Sequence, residues 1–294
     1  MKKVTAILVG LALVLGAGVA FADIMDCVGV TWTKEGTIQD VQLGLGGIVE
    51  YDRVKLTNDV VVTGMATTGF WVQEIETTST PFSGIFVYTG TGGQTPWSVG
   101  DRVQVIGEYI EYYGMSELRI YNNLGCAKIV GSAAVPTPAN LTTCDLNDSV
   151  NVEAEKWEGV LVRIDSVRVT RTSDGYGRWQ VEEIDSDANC AANDSLWIGT
   201  KSEDPVARPD SLALLCSITG IGDFDYNMYR VQPRSNNDVV YCGLPPAPGT
   251  RFAYPIDDTH IGVEFDRVLQ EASAENASNY YVTGFDIDIL SASM

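Results

Sequence analysis

The chain is poor in the residues that most catalytic and metal sites use. Its 294 residues include one histidine, His260, and six cysteines, none in a Cys-x-x-Cys pair. Histidine-based nucleophilic catalysis and zinc binding both depend on clusters of such side chains. His260 lies in an Asp-Asp-Thr-His sequence typical of an exposed turn, and adjacent carboxylates such as Glu182-Glu183 arise by chance in so acidic a chain. We therefore expect no enzyme activity, no catalytic residue, no metal site and no cofactor.

Basic residues are also scarce. Lysine and arginine number 19 against 39 aspartates and glutamates, which gives a net charge of −20. Nucleic-acid binding draws most of its affinity from cations that neutralise phosphates, so this balance disfavours nucleic acid as a partner. The chain is nevertheless 45% hydrophobic, which is enough to form packed cores rather than a disordered polyanion.

A long apolar run occurs once, at the N-terminus. Lys2 and Lys3 precede an apolar stretch at 4–19, and Ala20-Phe21-Ala22 fits a small-x-small cleavage site. The stretch is shorter than the ~20 residues of a spanning helix, so a signal peptide over 1–22 is favoured over a membrane anchor. We expect a mature chain that begins near Asp23, has no membrane span, and is exported to a periplasm, a cell surface or the medium.

Beyond this segment the sequence shows short alternating runs of Val, Ile, Tyr, Trp and Thr, broken by Gly, Asn, Asp and Pro. Such runs predict an all-β sandwich or barrel. Proline-containing stretches at 135–138 and 244–249 divide the chain. The predicted parts are a first domain at 23–134, a second domain at 139–243, a proline-rich linker at 244–250 and a third segment at 251–294.

The first two domains repeat each other over five strand segments. Ile85-Phe86-Val87-Tyr88 resembles Leu196-Trp197-Ile198-Gly199, for example, and Tyr113-Gly114-Met115 resembles Tyr226-Asn227-Met228. The segments keep their order, while the loops between them differ in length. Five such strands predict a small Greek-key barrel of the OB type in each domain.

These ordered segments resemble the OB-fold domains of secreted bacterial proteins, which often accompany extracellular nucleases and endonuclease/exonuclease/phosphatase-type hydrolases. The resemblance implies two tandem OB-fold-like Greek-key barrels. The hydrolase domain of that group, with His, Asp and Asn residues around a metal, has no counterpart in this sequence. The segments that carry the resemblance are 37–42, 61–64, 69–74, 83–88, 99–107, 111–114, 116–118, 157–164, 229–235 and 238–240.

The third segment resembles the start of the bacterial Ig-like domains of surface-layer and other exported proteins, through residues 256–266 and 272–282. An Ig-like sandwich takes ~100 residues. Residues 251–294 are therefore expected to form a partial Ig-like β segment, which implies either a truncated sequence or a partner for the partial sandwich.

Six cysteines in an exported chain predict three disulfides, for which 15 connectivities exist. Four of the cysteines flank the two domains in pairs, so each pair is expected to close one domain on itself. The two that remain lie within the second domain. The predicted disulfides are Cys27–Cys126, Cys144–Cys242 and Cys190–Cys216.

Strand alternation points to one candidate ligand-binding face. If the aliphatic neighbours face the barrel interior, Trp71, Phe86 and Tyr88 face outward on the second and third strands, where OB folds commonly bind ligands. The alternative is that this face packs on the other domain or on the N-terminal segment. The second domain offers a less aromatic set at the same place: Arg178, Gln180 and Trp197.

Two acidic stretches, 185–189 and 223–227, place oxygen ligands at alternate positions as calcium loops do. Neither has the glycine and the glutamate that an EF-hand loop requires, so acidic β-turns are the favoured interpretation.

The sequence favours a non-catalytic exported module that serves as a spacer or binding unit of a larger secreted or surface protein, with a glycan or protein ligand on an OB face. The alternative is the N-terminal accessory region of an extracellular nuclease or phosphatase whose catalytic domain lies outside this sequence. A third reading is a carbohydrate- or oligonucleotide-binding protein that acts alone. The oligomeric state is left open.

Overall fold

The computed structural model describes residues 25–90, 96–147, 152–184, 195–204, 206–242, 250–257, 259–265 and 291–292. The expected signal peptide at 1–22 lies outside these ranges. Regular structure in the described chain is almost all strand, which confirms the prediction of an all-β fold. None of the helices in these ranges combines the length and the apolarity needed to cross a membrane.

The first barrel has a five-residue helix, α1 (Ile38–Gln42), and a 3-10 turn at Leu45–Gly47. Its strands are β1 (Lys34–Gly36), β2 (Arg53–Leu56), β3 (Val60–Ala66), β4 (Gly69–Glu74), β5 (Gly84–Tyr88), β6 (Asp101–Tyr112), β7 (Met115–Arg119) and β8 (Cys126–Ser132).

The second barrel has two short helices, α2 (Thr143–Asn147) and α3 (Val152–Glu155), and a 3-10 turn at Asn236–Asp238. Its strands are β9 (Ala139–Leu141), β10 (Leu161–Arg171), β11 (Trp179–Glu183), β12 (Leu196–Ile198), β13 (Leu214–Asp225), β14 (Met228–Gln232) and β15 (Val239–Tyr241).

Both barrels close through the same strand order. In the first, β3, β4, β5, β7 and β6 are neighbours in turn, and β6 returns to pair with β3. In the second, β10, β11, β12, β14 and β13 follow the same path, and β13 pairs with β10. The third and fifth barrel strands are parallel in each case, and the other barrel pairs are antiparallel. Each is thus a closed five-stranded Greek-key barrel.

A short capped helix precedes each barrel. The side chain of Thr37 accepts a hydrogen bond from the Asp40 amide, and Asp40 accepts one from the Thr37 amide, which forms a capping box at the start of α1. Thr142 and Asp145 make the same exchange at α2. Ile38 and Val41 of α1 belong to the first barrel's core, and Leu146 of α2 belongs to the second.

The two barrels together form one compact unit that ends at Cys242, and the residues from Gly243 onward form a second unit. The described part of the second unit is a hairpin of β16 (Thr250–Pro255) and β17 (Ile261–Phe265). Its side chains are mostly exposed, including those of Phe252 and Tyr254. The Ig-like character of 251–294 remains a prediction, because an isolated hairpin does not define a sandwich.

The disulfides confirm one predicted pair and correct the scheme in the second barrel. Cys27 is bonded to Cys126, as predicted. Cys242 is bonded to Cys216, so the predicted pairs Cys144–Cys242 and Cys190–Cys216 are wrong. The reason is that β15 pairs antiparallel with β13, which brings the Cα atoms of Cys216 and Cys242 to 4.7 Å. Cys144 is also disulfide-bonded, and Cys190 lies outside the described residues.

Two disulfides in the described chain are typical of folding in an oxidising compartment, because reducing cytosols keep thiols free.

Candidate functional site

Strand alternation in the first barrel follows the prediction. Phe70, Val72, Ile85 and Val87 lie in the barrel core, whereas the side chains of Trp71 and Phe86 lie in a different cluster outside it. Trp71 and Phe86 are directly opposite each other on β4 and β5, with ring centroids 5.1 Å apart.

The outward face that they form is covered. Trp71 is 1% exposed and Phe86 is 2% exposed, because both pack against Leu161 and Ile221 of the second barrel. The expected open platform of Trp71, Phe86 and Tyr88 is therefore corrected to an interface between barrels, the alternative that the sequence left open. Tyr88 alone stays half-buried at the edge of this cluster, so ligand binding by the set remains an untested prediction that would require the barrels to separate.

Lys201 of the second barrel lies over this face. Its ammonium is 4.8 Å from the ring centroid of Phe86 and 5.8 Å from that of Trp71, distances suited to cation–π attraction. The same ammonium lies 3.2 Å from Oδ1 of buried Asp223, and Gln232 donates to the other oxygen of Asp223. The lysine charge is thus paired within the interface.

Backbone contacts hold the barrels together as well. The Leu161 amide donates to Oε1 of Gln73 at 3.0 Å, and the backbone amide of Glu203 donates to the carbonyl of Met65 at 3.1 Å. Gly84 on β5 lies so close to Gly159, in the turn before β10, that a Cβ on either residue would collide with the backbone of the other. Such specific polar and backbone contacts are typical of a fixed interface.

Two glutamates are buried at this interface. Burial raises the pKa of Glu117 to about 7, although nearby Lys201 and Arg119 act in the opposite direction. Burial, with repulsion from Glu155, raises the pKa of Glu158 well above its ordinary value. Oε1 of Glu158 accepts a hydrogen bond from the Ser116 amide at 2.7 Å, while Oε2 has no partner in the described structure.

The equivalent face of the second barrel is more open. Gln180 on β11 lies opposite Trp197 on β12, as Trp71 lies opposite Phe86 in the first barrel. Both are half-buried, while their neighbours Trp179, Val181 and Leu196 lie in the core. The sequence predicts Arg178, Gln180 and Trp197 on this face, and the structure brings all three together.

Two loops add exposed tyrosines to this face. Tyr176 lies in the loop between β10 and β11 and is 81% exposed, and Tyr226 lies in the turn between β13 and β14 and is 78% exposed. Cζ of Arg178 is 5.3 Å from the ring centroid of Tyr176, 5.7 Å from that of Trp197 and 5.9 Å from that of Tyr226. We call Tyr176, Arg178, Gln180, Trp197 and Tyr226 the aromatic face.

The carboxylate of Asp174 holds the side chain of Arg178 in position. Its guanidinium Nε donates to Oδ2 of Asp174, and the Tyr176 amide donates to Oδ1 of the same carboxylate. Burial acts to raise the pKa of Asp174, but the hydrogen bonds from Tyr176 and Arg178 outweigh it and lower that pKa. The loop that presents Tyr176 is therefore tied to the cation at the centre of the face.

A second cation adjoins the aromatic face. Cζ of the exposed Arg171 is 5.6 Å from the ring of Trp197. Arg230, which pairs with Trp197 across the parallel strands, is buried and lies 3.4 Å from Oδ2 of Asp225.

The acidic stretch 223–227 runs from the end of β13 into the turn before β14. Asp223 and Asp225 lie on β13 and their carboxylates face Lys201 and Arg230. Among the described residues no three acidic, histidine or cysteine side chains come together in a way that could bind a metal ion. The other stretch, 185–189, lies outside the described residues.

Comparison with known proteins adds no identification: no family model matches the chain, and no curated protein matches it. The resemblance to secreted OB-fold proteins remains a prediction.

Proposed function

We propose that this protein is an exported, non-catalytic binding module, and that the aromatic face of its second barrel binds a glycan. The observation that carries the proposal is the position of that face. Gln180 and Trp197 lie on the second and third barrel strands, Tyr176 lies on the loop before the second strand, and Tyr226 lies on the turn before the fifth. Strands two and three, with the loops before strand two and before strand five, form the usual ligand surface of OB folds.

The chemistry of the face suits a ring-shaped neutral ligand. Three aromatic rings around one guanidinium supply surfaces for stacking, and Gln180 supplies an amide for hydrogen bonding. Asp174 neutralises Arg178, so this arginine has little charge to offer a phosphate. The net charge of −20 also repels polyanions, which favours a sugar over a nucleic acid.

Export is supported by the N-terminal sequence and by the disulfides. Residues 1–22 have the charged start, apolar run and small-residue site of a signal peptide. A module of this kind would serve as the binding or spacer part of a larger secreted or surface protein, with the 251–294 segment as the start of a further Ig-like domain.

One observation favours a second candidate, the accessory region of an extracellular nuclease or phosphatase. Unpaired bases also stack on aromatic faces, and Arg171 lies in the open beside Trp197. In this candidate the face would hold single-stranded nucleic acid for a catalytic domain outside the sequence.

The test compares both ligand classes on one protein. Purified residues 23–294 are applied to a glycan array and to single-stranded DNA at low salt, together with the variant Trp197→Ala. The control is Trp32→Ala, since Trp32 is another half-exposed indole beneath a cation, with Lys55 Nζ at 4.7 Å, and lies outside the face.

We expect glycan binding that Trp197→Ala abolishes and Trp32→Ala preserves. Salt-sensitive DNA binding with the same dependence on Trp197 would support the second candidate. Glycan binding that survives Trp197→Ala would refute the assignment to this face.

A further inference from the structure

The first barrel carries a second exposed aromatic cluster, at the turn that matches the one bearing Tyr226. Tyr113-Gly114 joins β6 to β7, and Tyr226-Asn227 joins β13 to β14. All four residues have positive φ, between 51° and 87°, as two-residue hairpin turns of type I′ require. Tyr113 is 80% exposed, and its ring meets that of the half-exposed Tyr112 edge-on at 4.8 Å.

This cluster continues along the barrel. The ring of Tyr88 meets that of Tyr121 edge-on at 5.2 Å. Tyr88 pairs with Arg119 at one end of the five-residue strand β7, and Tyr112 pairs with Met115 at its other end, so both tyrosine pairs border the same short strand. We call Tyr88, Tyr112, Tyr113 and Tyr121 the tyrosine patch.

The turn of the tyrosine patch lies against the strand that leads into the turn of the aromatic face. A Cβ added to Gly114 would lie 2.7 Å from Cε1 of Phe224, so the first turn rests directly on β13. Tyr226 follows Phe224 by two residues, about 7 Å along an extended strand. Because both barrels belong to one compact unit, the spacing between the two aromatic surfaces is fixed.

The charged side chains near the tyrosine patch are carboxylates or an arginine that is paired with one. The guanidinium of Arg119 is bonded to Glu108, and Glu111 accepts hydrogen bonds from Tyr109 and Ser116. Buried Glu117 adjoins Tyr88. The described surroundings thus offer no unpaired cation to a phosphate or sulfate, and they suit an uncharged ligand.

We propose that the tyrosine patch is a second subsite for the ligand of the aromatic face, and that this ligand is a linear neutral oligosaccharide long enough to cross from one barrel to the other. The proposal rests on the proposed function. Two subsites on a rigid frame make the second contact intramolecular, so affinity rises once the ligand spans both and levels off beyond that length.

The test measures affinity against ligand length. Residues 23–294 are titrated calorimetrically with cello-, xylo- and chito-oligosaccharides from disaccharide to octasaccharide. The key variant is Tyr113→Asn, because Asn-Gly is the preferred type I′ turn and the substitution removes the ring while it keeps the hairpin. Trp197→Ala reports on the aromatic face, and thermal unfolding confirms that each variant is folded.

We expect Tyr113→Asn to weaken the longest ligands about tenfold, the usual loss of one stacking ring, and to leave the short ones unchanged. Trp197→Ala should weaken ligands of every length. Affinity that depends on Trp197 but neither on length nor on Tyr113 overturns the second subsite and leaves the proposed function standing. Binding that is indifferent to Trp197, or absent at every length, overturns the proposed function and the subsite with it.

Discussion

The substitution Glu117→Gln is expected to remove a pH-dependent destabilisation of the interface between the barrels. Glu117 lies opposite Phe86 across the parallel strands β5 and β7, on the outward face that the second barrel covers. Burial raises its pKa from 4.5 to about 7. A shift of that size corresponds to roughly 3.5 kcal/mol, at about 1.4 kcal/mol for each pKa unit.

The direction follows from which state holds the proton. Below pH 4.5 the carboxyl is protonated in both the folded and the unfolded chain, and its burial carries no ionisation cost. Between pH 4.5 and about 7 only the folded chain keeps the proton, so the free energy of unfolding falls as pH rises. Above pH 7 the folded chain buries the charged Glu117 carboxylate, and the free energy of unfolding is lowered by the full amount.

Urea unfolding of the wild type and Glu117→Gln at pH 5 and pH 8 measures this cost. The glutamine variant should gain stability relative to the wild type by up to roughly 3 kcal/mol between these pH values. Glu76→Gln is the control, since Glu76 is exposed and should show no such gain. An equal difference between Glu117→Gln and the wild type at both pH values would refute the assignment of a buried, shifted carboxyl.

Two further predictions concern the disulfide and the interface. Non-reducing peptide mapping should link Cys216 to Cys242, and Cys242→Ser should lower the free energy of unfolding by about 3.5 kcal/mol in the chain-entropy account of the 26-residue separation; a peptide that links Cys242 to any other cysteine would contradict the assigned pairing. Gln73→Ala should cost about 1–3 kcal/mol in chemical denaturation, because it leaves the buried Leu161 amide without an acceptor, whereas Gln104→Ala at an exposed strand position should change little. Equal costs for the two glutamine variants would argue against a specific role for Gln73.

Strand identity and side-chain direction could be predicted from the sequence because alternation in a strand is local. Phe70 and Val72 against Trp71 show the inward and outward sides without any knowledge of the rest of the chain. What covers an outward side is not local. Leu161 and Ile221, which bury Trp71 and Phe86, lie far away in the sequence, so exposure of that face could not be read from its own strands.

The disulfide error has the same origin. Flanking cysteines suggest that a domain is closed end to end, but bonding depends on strand neighbours. β15 runs beside β13, and this pairing fixes Cys242 next to Cys216.

The tyrosines of the aromatic face were missed for a different reason. Tyr176 lies in a loop with no counterpart of equal length in the first barrel, and loop conformation is poorly encoded by periodicity. Tyr226 had a usable signal, since Tyr226-Asn227 repeats the Tyr113-Gly114 position and Asn and Gly favour type I′ turns.

The residues at matching positions of the two barrels explain why the outward face is buried in the first barrel and accessible in the second. A directly opposed Trp71 and Phe86 offer a wholly apolar pair, and burial of such side chains stabilises by roughly 1.5–3 kcal/mol each. The matching pair in the second barrel is Gln180 and Trp197, with the guanidinium of Arg178 against the indole ring. Burial of that set against another barrel would require partners for an amide and for an ion pair, and the desolvation of both opposes it. The first barrel therefore packs the outward face of β4 and β5 against the second barrel. The second barrel leaves the matching face of β11 and β12 accessible to solvent and to a ligand.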